Sequence, residues 1–163
     1  MKIDKENLEK LIDQYAPLLN CHGNLDGKKI LTALAYCESD YGQIRRPRFE
    51  KSYAPGGYYY QRSPELRTNY SILGAWAACS YGSFQILFQT AYELGFRGSP
   101  VLLWIPEDAV GLQYVVELLN KRILPKAQKP QEIADAYNSG SFTDQIIPTD
   151  YINEFMDKYN NPI

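Results

Sequence analysis

Apolar residues recur at three- and four-residue intervals in six stretches of the chain, and each stretch predicts a helix. Leu8, Leu11, Ile12, Tyr15, Leu18 and Leu19 share one face of a helix from Lys5 to Leu19, with Asp4 placed to cap it. Asp26 can cap the next, which carries the run ILTALAYCESDY at 30–41. Leu31, Leu34 and Ala35 make its apolar stripe, and Glu38 continues that stripe at the seventh position. Asp40 and Gly42 supply a left-handed stop, leaving Glu38 in the last turn and facing a cleft. After Gly82, the residues Phe84, Leu87, Phe88, Ala91 and Leu94 read as a further helix to Gly95. The broadest apolar arc, with Val110, Tyr114, Leu118, Val115 and Leu119, predicts a buried core helix from Pro106 or Glu107 to Ile123, ended by Pro125. Pro130 opens PQEIADAYN, which Gly140 closes. Thr149 caps a last helix to Tyr159, whose Tyr151, Phe155 and Tyr159 fall at four-residue steps, and it is expected to pack on the outside.

The pattern fades between residues 43 and 79, which hold three prolines, several glycines and the run Tyr58-Tyr59-Tyr60. This predicts a long irregular insertion, and its aromatic content argues against disorder. The expected fold class is therefore mainly α, with little or no sheet. A chain of 163 residues that is 45% hydrophobic can build one core, so residues 1–163 are expected to form a single domain and a monomer. A net charge of −2 provides no general basic field, which excludes nucleic acid as a partner. The polar start MKIDKENLEK lacks the apolar core of a signal peptide, and no run reaches the length of a membrane span. A protein made in the cytoplasm, with no membrane insertion, is expected.

Three cysteines without metal-ligand spacing and one histidine suggest no metal site, but free, mostly buried thiols. Cys37 with His22 as its base is a weaker alternative, because Cys37 neighbours Glu38 on a helix and the two side chains diverge by about 100°. His22 is expected in the turn after the first helix. Fourteen tyrosines among 163 residues stand out, because a tyrosine ring offers sugars both a flat apolar face and a hydroxyl. Tyr53, Tyr58, Tyr59 and Tyr60 are the candidate stacking platforms, with the covering of an open core as the structural alternative. Glu38 is the candidate acid. Desolvation on an apolar stripe disfavours the carboxylate, so its pKa is expected to be raised, as a general acid near neutrality requires.

Three motifs join this reading in chain order: Glu38-Ser39, the Gly82–Ile86 segment GSFQI, and the Ala136–Gly140 segment AYNSG. In them the chain, over roughly residues 28–140, resembles the lysozyme-like lytic transglycosylases of glycoside hydrolase family 23. Ser83 and Phe84 stand where that family usually has Leu-Met. SYGSFQI together with RFEKSY at 48–53 is similar to phage-type N-acetylmuramidase domains. The resemblance implies a lysozyme-like helical fold that cleaves the β-1,4 bond between N-acetylmuramic acid and N-acetylglucosamine in peptidoglycan.

It further implies that Tyr81, Gly82, Ser83, Phe84, Gln85 and Ile86 belong to the cleft floor and that Ser39 contacts substrate beside the acid. Tyr137 is then expected to position Glu38 through its hydroxyl, and Asn138 to bind substrate or the helix end. A lytic transglycosylase closes the muramic acid C6 hydroxyl onto C1 and needs one acid/base. A hydrolytic muramidase activates water, in an inverting enzyme with a second carboxylate, for which Glu50 is the candidate and Asp40 the weaker one. Neither chemistry requires a cofactor. The implied partner is the peptidoglycan glycan strand, and the implied place of action is the bacterial cell wall, with a phage or prophage lysis enzyme as the expected origin. A non-catalytic module that binds wall glycan, or a structural part of a phage particle, is the competing class.

Overall fold

The computed structural model describes residues 3–142 and 146–162, so parts of the expected 1–163 domain lie outside the described residues. The protein is mainly helical. Asp4 accepts the Glu6 amide at 2.8 Å and starts α1 (Lys5–Tyr15). The helix stops four residues before the expected Leu19. Pro17 has no N–H to donate, so the chain tightens into a 3₁₀ turn over Ala16–Leu18 and turns Leu18 out to solvent. Asp26 accepts the Lys29 amide at 3.0 Å and opens α2 (Gly27–Ser39). Asp40, Tyr41 and Gly42 all take positive φ, and the left-handed Asp40 ends the helix where the acid stripe runs out.

Residues 43–79 are more regular than their composition suggests. They hold β1 (Arg48–Phe49), α3 (Tyr58–Arg62) and α4 (Pro64–Leu73). Ser63 accepts the Leu66 amide at 3.0 Å, and Pro64 takes the first helical position, so the proline that reads as a breaker is the start of α4. The segment after Cys79 is also not a helix at its start. Gly82 at φ +78° and Gln85 at φ +45° reverse the chain between β2 (Cys79–Tyr81) and β3 (Ile86–Leu87), and only α5 (Phe88–Glu93) is helical. The three short strands pair antiparallel in the order β1-β2-β3, with Arg48 opposite Ser80 and Tyr81 opposite Ile86.

α6 (Ala109–Leu118) continues through a π turn at Leu119–Ile123 and is the expected core helix, with Leu112, Val115 and Leu119 fully buried. α7 (Pro130–Ser139) ends at left-handed Gly140, and α8 (Asp150–Asn160) starts where Thr149 accepts the Ile152 amide. α8 keeps Asn153, Glu154 and Asp157 exposed, as an outer helix does. It lies along α2 and α7, burying Ile152, Phe155 and Tyr159 against α2, where Ile30, Leu31, Ala33, Leu34 and Ala35 are fully buried. Each large side chain buried this way contributes about 1.5–3 kcal/mol, enough to fix the end of α2 relative to α8.

An ion pair holds the hairpin turn against the start of α6. Arg45 and Asp108, each about 1% exposed, meet through Nε–H at 2.9 Å and NH2 at 2.8 Å. The Ser83 amide at 3.0 Å and the Ser83 hydroxyl donate to the same carboxylate. Gly82 is required here, because a Cβ would fall 2.5 Å from the Asp108 carboxylate.

Candidate active site

The last turn of α2, β1, the β2–β3 hairpin, the π turn and the end of α7 surround a groove of about 930 Å³. Glu38 opens into it with a side chain only 7% exposed. Tyr151 of α8 donates to Glu38 Oε1 at 2.7 Å, and the Arg48 guanidinium lies 3.7 Å from Oε2. Burial raises the Glu38 pKa above the ordinary carboxylate range. The Tyr151 hydrogen bond and the Arg48 charge pull it back, and the Glu50 charge pushes it up. The raised direction agrees with the reading of the apolar stripe.

Glu50 lines the same groove. Its Oε1 accepts Arg48 Nε–H at 2.7 Å and lies 3.2 Å from the Ser80 hydroxyl. Arg48 thus spans two carboxylates, one nearly desolvated and one wet. Gln85 completes the cluster: its Oε1 lies 3.0 Å from the Ser80 hydroxyl, and its Nε2 donates to the Gly82 carbonyl at 2.8 Å. A buried carboxyl whose pKa is raised, beside a more solvated carboxylate, is a pairing suited to protonating one oxygen while stabilising a cation or orienting a nucleophile.

The hairpin residues divide sharply. Gln85 and Ile86 line the groove, whereas Tyr81, Gly82, Ser83 and Phe84 do not. Tyr81 is fully buried, its hydroxyl donating to the Trp76 carbonyl. Phe84 is core, and Gly82 and Ser83 serve the Arg45–Asp108 pair. Ser39 is also internal. Its hydroxyl donates to the Ser83 carbonyl at 2.7 Å and accepts the Gly42 amide at 2.8 Å, tying the end of α2 to the hairpin instead of meeting substrate.

Tyr137 lines the groove, but its hydroxyl donates to the Phe84 carbonyl at 2.7 Å, so the group that holds Glu38 is Tyr151 and not Tyr137. Asn138 is exposed on the groove wall, and Gly140, not Asn138, caps α7. Among the three consecutive tyrosines only Tyr59 lines the groove, stacked at 4.6 Å on Tyr53, which lines it too. Tyr58 faces outward beneath the Arg62 guanidinium, and Tyr60 packs edge-on against Tyr70. A helical turn cannot present three successive side chains to one surface. Asp40 is exposed and lies outside the groove.

Tyr151 was not legible as part of a site, and no role could be read for Arg48 or Ser80. Tyr151 is 113 residues from Glu38, and its four-residue spacing to Phe155 reads as packing. Arg48 appeared only as the first residue of RFEKSY, and Ser80 as the first of SYGSFQI, with no role attached to either. Cys37 does not line the groove, and burial, with help from Glu154 and Glu38, pushes its thiol up to about 12, against a reactive thiolate. His22, in the turn after α1 as expected, bonds the Leu124 carbonyl at 2.8 Å. Among the described residues no three His, Cys, Asp or Glu side chains converge where a metal could sit, and no helix is long and apolar enough to cross a membrane.

Because Tyr151 stabilises the charged form of Glu38, Tyr151→Phe is expected to raise the Glu38 pKa further. Carboxyl-carbon NMR titration of the two proteins reads this directly, and an unmoved or lowered titration contradicts the assignment.

Compared with known proteins, the chain matches no family model, no curated protein and no solved structure.

Proposed function

We propose that the protein is a peptidoglycan-cleaving glycosidase in which Glu38 protonates the oxygen between N-acetylmuramic acid and N-acetylglucosamine. The observation that carries this reading is the buried Glu38 carboxyl, held by Tyr151 at the floor of an open groove and with a raised pKa. A raised pKa favours the protonated form that a general acid supplies. Tyr53 and Tyr59, stacked on each other at 4.6 Å, place aromatic rings in the groove wall. Both the motif order in the sequence and the arrangement of Glu38, Gln85 and Tyr137 around one groove support a lysozyme-like glycan cleaver, acting on the bacterial wall.

In the proposed reaction the leaving sugar takes the Glu38 proton as the C1–O bond breaks and positive charge grows at C1 and the ring oxygen. The Glu38 carboxylate so formed then accepts the proton of the incoming hydroxyl. In a lytic transglycosylase that hydroxyl is the C6 hydroxyl of the same muramic acid, and the product is a 1,6-anhydro end. The position of Glu50 supports a second reading, hydrolysis, in which Glu50 orients water on the opposite face of the sugar.

Dye release from labelled, purified walls tests the cleavage. Glu50→Gln then separates the two routes. Transglycosylation is expected to keep its rate within about tenfold, whereas hydrolysis with Glu50 as base loses about 10²–10⁴-fold.

A further inference from the structure

The charge on the groove is opposite to that on the chain. The whole sequence carries −2, yet Arg48, Arg62, Lys121, Arg122 and Lys126 all line the groove, against the carboxylates Glu38, Glu50 and Glu93. Even with Glu38 ionised, five cations face three anions. Glu50 sits on Arg48 at 2.7 Å and Glu93 on Arg122 at 3.0 Å, so these two anions are already committed. Lys121 also reaches Glu117 at 2.6 Å, but that pair is exposed on one helical face and is exchanged at little cost. Lys126 lies 5.6 Å from the centre of the Phe142 ring, and Arg62 stacks on Tyr58. Among the described residues neither forms an ion pair.

Local structure explains why three of these cations cluster. The π turn at Leu119–Ile123 adds a residue to the helical repeat after α6, placing Lys121 and Arg122 on the groove side while Leu119 and Ile123 stay buried. Lys126 follows one turn later. The far wall, from Asn138 to Phe142, is polar but uncharged in the described residues that line the groove.

We propose that Lys121 and Lys126 form a subsite for an anionic substituent of the glycan, the carboxylate of a peptide stem, so that the groove selects strands carrying stems over bare sugar. This rests on the glycosidase reading for its substrate, but it concerns binding and not bond cleavage. The shared chemistry is a tethered anion, and a wall phosphodiester is the other source of one.

The test measures affinity of the wild-type protein for three soluble disaccharides by calorimetric titration: one bearing a tetrapeptide stem, one bare, and one bare but phosphorylated. The stem-bearing probe is expected to bind about three- to tenfold tighter than the bare one. Lys121→Gln/Lys126→Gln is expected to close that gap to within about twofold, as is raising the salt to about 0.5 M. Both lysines are exposed, so the variant is expected to stay folded, which its circular dichroism checks. Equal affinity for stem-bearing and bare probes, or a gap that survives the double substitution, overturns the subsite. A gap confined to the phosphorylated probe overturns its assignment to the stem. Walls that resist cleavage while the gap persists would count against the glycosidase reading alone.

Discussion

Glu38→Gln is expected to lower wall cleavage about 10²–10⁴-fold while leaving the protein folded. The amide keeps the volume of the side chain and can still accept the Tyr151 hydrogen bond, but it has no proton to give to the leaving oxygen. The stability consequence has a definite sign. A carboxyl with a raised folded-state pKa contributes stability that is fully present below its unfolded value and is lost as pH rises through the folded one. Glutamine never ionises, so the variant avoids that loss. At pH 8 it is expected to melt no lower than the wild type, and near pH 3 the two are expected to converge. Calorimetric scans at the two pH values, run beside dye release from labelled walls, separate a lost proton from a lost fold. A fully active variant would remove Glu38 from the mechanism.

Asp108→Asn is expected to cost about 3–5 kcal/mol, the largest stability loss foreseen for a single substitution here, and to lower Tm by about 6–20 °C. Asparagine tolerates the left-handed backbone at φ +62°, so the substitution isolates the charge. What remains is an Arg45 guanidinium about 1% exposed, with no anion to pair with. Arg45→Met in the Asp108→Asn background is expected to regain part of the loss, because it removes the unpaired charge. The effect reaches the site through short connections. Asp108 holds Ser83, the Ser83 carbonyl holds Ser39, and Ser39 adjoins Glu38 at the end of α2. Urea unfolding measures all three proteins. A loss below 1 kcal/mol, or no recovery in the double variant, contradicts the account of this pair.

What could be read along the chain was what the chain decides locally. Asp4, Asp26 and Thr149 cap the helices they were expected to cap, because a side-chain oxygen two or three residues before an amide needs no distant partner. Glu38 was legible for the same reason: the stripe of Leu31, Leu34 and Ala35 is buried whatever lies against it. The β2–β3 hairpin was misread because Phe84, Leu87, Phe88 and Ala91 imitate helical spacing, while the positive φ at Gln85 has no signature in a residue that seldom adopts it.

Long-range partners were beyond reach. Nothing near Tyr151 marks it as the group that holds an acid 113 residues away. Nothing near Arg45 in the chain marks it as buried, because its partner Asp108 lies 63 residues away. Ser39 and Ser83 were assigned to substrate, but both are buried, Ser39 meeting the hydrogen-bonding needs of backbone groups and Ser83 those of the Asp108 carboxylate.

The most direct test of the central claim is mass spectrometry of the soluble products from purified peptidoglycan digested by the wild-type protein and by Glu38→Gln. The account predicts glycan fragments with new muramic acid ends from the wild type and almost none from the variant. Anhydro ends assign transglycosylation, and reducing ends, heavier by one water, assign hydrolysis with Glu50. No release by the wild type from any of several wall types, or equal release by both proteins, would contradict it.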